Sequence, residues 1–323
     1  MSEHPSPDWP NHVEAWRQWR SAMAGMRMHH GWLLAGKAGV GKKDFAFCAA
    51  RELVAIGAAG TVAGAHPDIL ELTYGPKDKK AEDAAAAGKD FDRARSIRVS
   101  QIRAMQARLT TRPTLGSHRV IIVNPADDLE RAASNALLKS LEEPPVGTFF
   151  LLVAHRPARL LPTIRSRCRI LRFPALNEDQ LDRLLQQADA TATPEARAAA
   201  IAASGGSFTA ALQFAAQDLA PIAGLIRNLI ARPDRNMELR GELSSLIGPR
   251  ADRARMAAVF ELAQALVAEA ARGSEYPAHA AVLADIHAEL VQLSSEAPTY
   301  NYDAGLLALE LGGLLTRPAP ASA

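Results

Sequence analysis

Two short stretches hold residues whose types and spacing could handle phosphate. The first is Gly36-Lys-Ala-Gly-Val-Gly-Lys-Lys43. Gly36, Gly39 and Gly41 let backbone N–H groups converge on phosphate oxygens, and Lys42 is spaced to reach the terminal phosphates. A working P-loop continues with Ser or Thr, whose hydroxyl holds Mg²⁺. This chain has Lys43 instead, and an ammonium there repels a divalent cation. Two readings stand: a tight strand-to-helix turn, and a pocket that keeps nucleotide without turning it over. The second stretch is Arg165-Ser-Arg-Cys-Arg169. Taken alone, Arg167 within it is a solvated surface charge.

Positioning these residues requires strands and helices, and the chain provides both patterns. Gly31-Trp-Leu-Leu-Ala35 reads as a buried strand that runs into the glycine-rich turn and a helix through about Ile56. Three more apolar runs, 119–124, 148–154 and 169–173, read as strands covered on both faces, with a helix ending at Pro144-Pro145 between the first two. A helical crossover between such strands makes them parallel, so this half is α/β. An opening helix is expected over 9–29, with Val13, Trp16 and Met23 on its core face. Residues 75–95 are charged and Ala-rich, and read as a mobile loop or partly helical insertion in which Lys77, Lys79 and Lys80 are solvated. Asp127 and Asp128 are expected at the start of a helix, as partners of its dipole. From Asn177 onward the pattern is all-α: a small helical segment over 175–216, then stretches 219–231, 252–272, 278–295 and 301–315. The tail 318–323 is expected to fray.

Composition narrows the function classes. A chain of 323 residues, 48% apolar, has room for two or three domains. Its first residues lack an apolar leader and no unbroken apolar run approaches membrane-spanning length, so the expected location is cytoplasmic. Cys48 and Cys168 form neither a disulfide framework nor a four-ligand metal site, and no metal is expected. A net charge of +2 does not by itself point to nucleic acid.

The run Asn135-Ala-Leu-Leu-Lys-Ser-Leu-Glu-Glu-Pro-Pro145, followed by Ser166-Arg167-Cys168, resembles the AAA+ subunits of bacterial sliding-clamp loaders, which serve DNA polymerase III. The resemblance spans residues from about 31 to 215. It implies a RecA-like P-loop domain with a parallel sheet over 1–174, a helical lid over 175–216, a helical collar that holds subunits in a ring over 217–316, and a flexible tail over 317–323. It also implies partners: clamp-loader ATPase subunits, the clamp-opening subunit, the sliding clamp, and primer-template DNA through the complex.

Four departures from the motor pattern bear on activity. Lys43 replaces the metal-holding hydroxyl. Asn124-Pro125 stands where a motor's strand ends in Asp-Glu, Ala154 (with His155 next) where a polar residue senses the γ-phosphate, and Thr209 where Gly206-Ser207-Phe208 leads into a nucleotide-touching Arg. The expectation is a non-hydrolysing subunit with a non-functional P-loop and no cofactor of its own, ATP and Mg²⁺ residing in neighbouring motor subunits. The intact Ser166-Arg167-Cys168 implies that Arg167 acts in trans as an arginine finger, Arg165 and Arg169 being flanking charges and Cys168 a packed side chain. Family members commonly insert a four-cysteine zinc module before a His-Pro-Asp turn. Here the linker 57–64 has no cysteine, so zinc is not expected and His66 reads as a turn residue. Two alternatives remain: an active motor subunit of the same complex, and a DNA-binding adaptor outside replication.

Overall fold

The computed structural model describes residues 8–25, 28–56, 66–189, 192–217, 219–248, 251, 253–300 and 303–317. The linker 57–64 and the tail 318–323, for which expectations were stated, lie outside the described residues. By contacts the chain divides into two units, Met1–Ala175 and Leu176–Ala323.

In the first unit, a short 3-10 turn leads into α1 (Val13–Met23), then β1 (Gly31–Ala35), α2 (Lys42–Val54), β2 (Ile69–Leu72), α3 (Lys79–Ala86), α4 (Val99–Leu109), β3 (Arg119–Val123), α5 (Arg131–Glu142), β4 (Thr148–Ala154), α6 (Pro162–Arg165) and β5 (Arg169–Arg172). The strands form one parallel sheet in the order β2-β3-β4-β1-β5. Register sets Leu33 beside Leu152 and Ile121 beside Phe150. Successive side chains of a strand point to opposite faces, and the core divides accordingly. Trp32, Leu34, Val120, Ile122, Leu151 and Val153 pack with α1 and α2, while Leu33, Ile121, Phe150 and Leu152 pack with α4 and α5. Both faces are covered, which is why the strands read as unbroken apolar runs.

Several expectations need correction. Of the expected core face of α1, Trp16 and Met23 are partly buried against the sheet's apolar cluster, but Val13 is 72% exposed, and the fully buried residues of the helix are Ala15 and Trp19. Strands β3 and β5 stop one residue short of the expected ends, leaving Asn124 and Phe173 outside them. The 75–95 insertion, by contrast, is partly helical as one expected form had it: it contains α3, begun by Asp78, whose carboxylate accepts from the Ala81 N–H at 3.0 Å. Lys77, Lys79 and Lys80 are exposed.

The second unit is helical: α7 (Glu178–Ala188), α8 (Pro194–Ser204), α9 (Phe208–Ala216), α10 (Ala220–Ala231), α11 (Glu238–Ile247), α12 (Arg253–Gly273), α13 (Pro277–Tyr300) and α14 (Ala304–Leu315). One apolar cluster runs from Ala200 in α8 through Leu229, Leu243, Val259, Leu290 and Leu311, so α8 packs into the same core as the later helices. Helix α11 is absent from the expected set. Its sequence, with Gly241, Ser244 and Ser245, buries only Leu243 and Ile247, and its start is fixed by Asp234, whose carboxylate accepts from the Leu239 and Arg240 N–H groups at 3.1 Å. No helix among the described residues is long and apolar enough to cross a membrane.

Candidate functional site

The glycine-rich turn sits between the end of β1 and the start of α2, the place a P-loop requires. Gly41 has φ +79, and a Cβ on it would overlap the Trp9 indole, so glycine is needed there on both counts. Trp9 lies against the turn: its Nε1–H donates to Asp44 Oδ2 at 2.9 Å and its ring stacks on His12. Nε2 of His12, which is 2% exposed, is 2.8 Å from the Val40 carbonyl oxygen. The side chain of Asn11 donates to the Pro174 carbonyl. The segment before α1 therefore lies across the turn and is fastened at three points.

The two lysines are committed to the chain's own acceptors. Lys42 is 2% exposed, and its ammonium donates to the carbonyls of Gly36, at 2.8 Å, and Lys37. Burial pulls it down to about 8, against the pull of the Asp127 carboxylate. Lys43 Nζ is 2.9 Å from Glu71 Oε1 on β2, and the Asn124 side-chain amide is 3.5 Å from the same oxygen. The position expected to repel a metal ion is thus an ion pair, and Glu71 is a participant that sequence reasoning missed. Nothing near Lys43 in sequence marks it; the β2–β3 pairing sets Glu71 beside Ile122, just before Asn124.

Asp127 also differs from expectation. It lies in a 3-10 turn ahead of α5, is 6% exposed, and accepts from the His155 and Arg156 N–H groups at 2.9 Å, capping the chain as it leaves β4. Its role is to tie the ends of β3 and β4 together, not to complement the dipole of α5. Asp128 accepts from the Tyr74 hydroxyl and pairs with Arg159 at 3.3 Å. At the position after Ala154, His155 Nδ1 is buried without a hydrogen-bond partner among the described residues. Burial, and next the Lys42 charge, lower its pKa.

Burial lowers His12 to about 4, which sets a pH dependence. An unfolded His titrates near 6.5, so the unfolded chain takes up the proton first as pH falls. Stability tied to His12 is full above about pH 6.5 and declines down to about pH 4, by about 3 kcal/mol in total. All four tryptophans, Trp9, Trp16, Trp19 and Trp32, are in the first unit, so their fluorescence follows that unit's urea unfolding. The midpoint is expected to drop across this window, and a non-titrating His12→Gln variant should lose most of the slope. An equal slope in the variant would remove His12 as the cause.

Arg167 is apart from these groups, in the turn between α6 and β5. Its Nη2 is 2.7 Å from Glu142 Oε1, its Nη1 donates to the Thr163 carbonyl at 3.0 Å, and its side chain is 37% exposed. Arg169 lies over the Trp32 ring at 5.6 Å. Cys168 packs beside the α5 face of the sheet, and burial pushes its thiol up to about 12. His66 Nδ1 accepts from the Asp68 N–H at 3.1 Å, a turn contact as expected. Among residues of the second unit, Ser207 caps α9 by accepting from the Ala210 N–H at 3.3 Å, next to Thr209.

Residues 11–177 match the family described as DNA polymerase III, delta subunit. The chain belongs to this family. Among curated relatives, the DNA polymerase III subunit delta' of Pseudomonas aeruginosa is 37% identical over 171 residues, 48% of this chain and 47% of that protein. The delta' subunit of Escherichia coli is 37% identical over 150 residues, 46% of this chain and 40% of that protein. The matched stretches thus span less than half of these relatives. A solved gamma-subunit-related DNA polymerase III protein from Thermotoga maritima has a TM-score of 0.50 at 15% identity, covering 94% of this chain and 98% of that one, which shows a shared fold. The first unit is α/β, and the relatives of this chain include, besides delta' subunits, the DNA polymerase III subunit tau of Escherichia coli, 31% identical over 199 residues, 60% of this chain and 30% of that protein.

Proposed function

We propose that this chain is a non-hydrolysing subunit of the DNA polymerase III clamp loader, helping to load the sliding clamp onto primed DNA and supplying Arg167 to the ATP site of a neighbouring motor subunit. The observation that carries the reading is the Lys43–Glu71 ion pair at the head of α2, 2.9 Å across, where a working P-loop offers a hydroxyl to Mg²⁺. With Lys42 bonded to its own turn, neither lysine is poised for phosphate, and Asn124 offers no anionic ligand. Arg167, by contrast, is partly exposed and permanently charged, as an arginine that serves a phosphoryl group across an interface must be. ATP and Mg²⁺ then belong to the neighbouring motor subunits, and the helical second unit serves as lid and collar.

Reconstitution tests this. The purified chain is expected to hydrolyse ATP no faster than its Lys42→Ala variant. Added to cognate motor subunits and the clamp-opening subunit, it is expected to raise clamp- and DNA-stimulated turnover. Hydrolysis by the chain alone above that control would revive an active motor. Failure to assemble with the motor subunits, together with salt-sensitive DNA binding by the chain alone, would favour an adaptor outside replication.

A further inference from the structure

Helix α5 ends on Glu142, with Glu143 next, both exposed. A helix C-terminus already concentrates negative charge on its unpaired carbonyls, so acidic side chains there are unfavourable. A departure of this kind from local preference is commonest where a sequence serves a site. The offsetting cation arrives from a different element: Arg167 Nη2 is 2.7 Å from Glu142 Oε1, and its Nη1 donates to the Thr163 carbonyl of α6 at 3.0 Å. Two contacts from two helices define the plane of the guanidinium. Its fork has more donors than these contacts use, and the side chain remains 37% exposed.

We propose that Glu142 is a positioning residue for Arg167, holding the guanidinium in the orientation from which its remaining donors meet a neighbour's γ-phosphate. The proposal rests on the reading of Arg167 as a finger in trans. A free arginine samples many rotamers, and each must be excluded before a phosphate can be gripped. A carboxylate that selects one orientation beforehand lowers the cost of forming the transition-state contact, which is the advantage of donors fixed in advance. Because the pair is partly exposed its hold is modest, so its effect on rate is severalfold, far below that of the arginine itself.

A double-mutant cycle in the reconstituted loader tests the proposal: unchanged chain, Glu142→Gln, Arg167→Ala and the pair together, reading kcat and KM for ATP of the motor subunits, with assembly followed by gel filtration. Glu142→Gln is expected to lower kcat about two- to fivefold with KM unchanged, Glu142→Asp to recover part of the loss, and the double variant to match Arg167→Ala. Unchanged or raised kcat in Glu142→Gln, with Arg167→Ala strongly impaired, would overturn the positioning role and leave the finger standing. An equal Glu142→Gln effect in the Arg167→Ala background would overturn it too, by showing that Glu142 acts elsewhere. If Arg167→Ala itself leaves turnover unchanged, the finger reading fails first and the inference falls with it.

Discussion

Arg167→Ala is expected to slow the motor site that this chain serves by about 10³-fold or more while the assembly stays intact. The size follows from chemistry: charge builds on the transferred phosphoryl group, and an arginine supplied across an interface stabilises it by an amount that in P-loop enzymes corresponds to about 10³–10⁵ in rate. Steady-state turnover of the whole loader falls by the share of that one site, or nearly completely if the sites fire in sequence, so a single-turnover measurement is the sharper readout. Removing a partly exposed side chain from a turn leaves the core untouched, since Ile164 and Leu171 beside it are buried independently of it. Gel filtration should therefore show an unchanged complex. Arg167→Lys is a stringent companion: it keeps the charge and loses the planar fork, so it is expected to rescue poorly. Full activity in Arg167→Ala would leave this chain as a scaffold and Ser166-Arg167-Cys168 as an inherited turn.

What the sequence revealed, and what it concealed, divides along physical lines. Strands buried on both faces announce themselves as runs such as Val120-Ile-Ile-Val123, and a glycine-rich turn between such a strand and a helix has few meanings. Local caps such as Asn177, which accepts from the Gln180 N–H at 2.9 Å, were equally legible. Helix α11 was not, because a helix buried along only two large side chains has too little apolar period to detect. Partners distant in sequence were the other blind spot. That Lys43 departs from the P-loop pattern is visible in one residue; that it pairs with Glu71 and that Asp127 caps the end of β4 depend on the order of strands in the sheet, and that Trp9 lies over Gly41 depends on the path of the segment before α1. Glu142 reads as one more charge in an acidic helix end until Arg167 is placed against it.

Asp68→Ala is expected to destabilise the first unit strongly, by about 3–5 kcal/mol. Asp68 is fully buried, at the turn ahead of β2. It accepts from the N–H groups of Thr114 and Leu115 at 2.8–2.9 Å and from Arg119 at 3.3 Å. Arg119, 6% exposed, also donates to the carbonyls of Arg108, Thr111 and Arg112, so one ion pair pins the segment between α4 and β3 to the start of β2. Truncating the carboxylate leaves a buried guanidinium without its counter-charge and two N–H groups without an acceptor, and each is costly in a dry interior. A domain has only about 5–15 kcal/mol in reserve, so the variant should unfold at a much lower urea concentration by tryptophan fluorescence. Adding Arg119→Met should recover part of the loss by removing the stranded charge, but not all of it, because three carbonyls then lose their donor. Acid gives an independent signature. Burial alone would raise the Asp68 carboxyl, but the Leu115 and Thr114 N–H groups and Arg119 outweigh it and hold it below the ordinary range. Its contribution is therefore present above about pH 4 and lost as pH falls further through the lower folded value. That window lies below the one governed by His12, so Asp68→Ala should flatten the most acidic limb of the stability profile and leave the His12 limb in place. Loss of less than about 1 kcal/mol on truncation would mean that water enters to replace the carboxylate, and that this pair does not hold the turn.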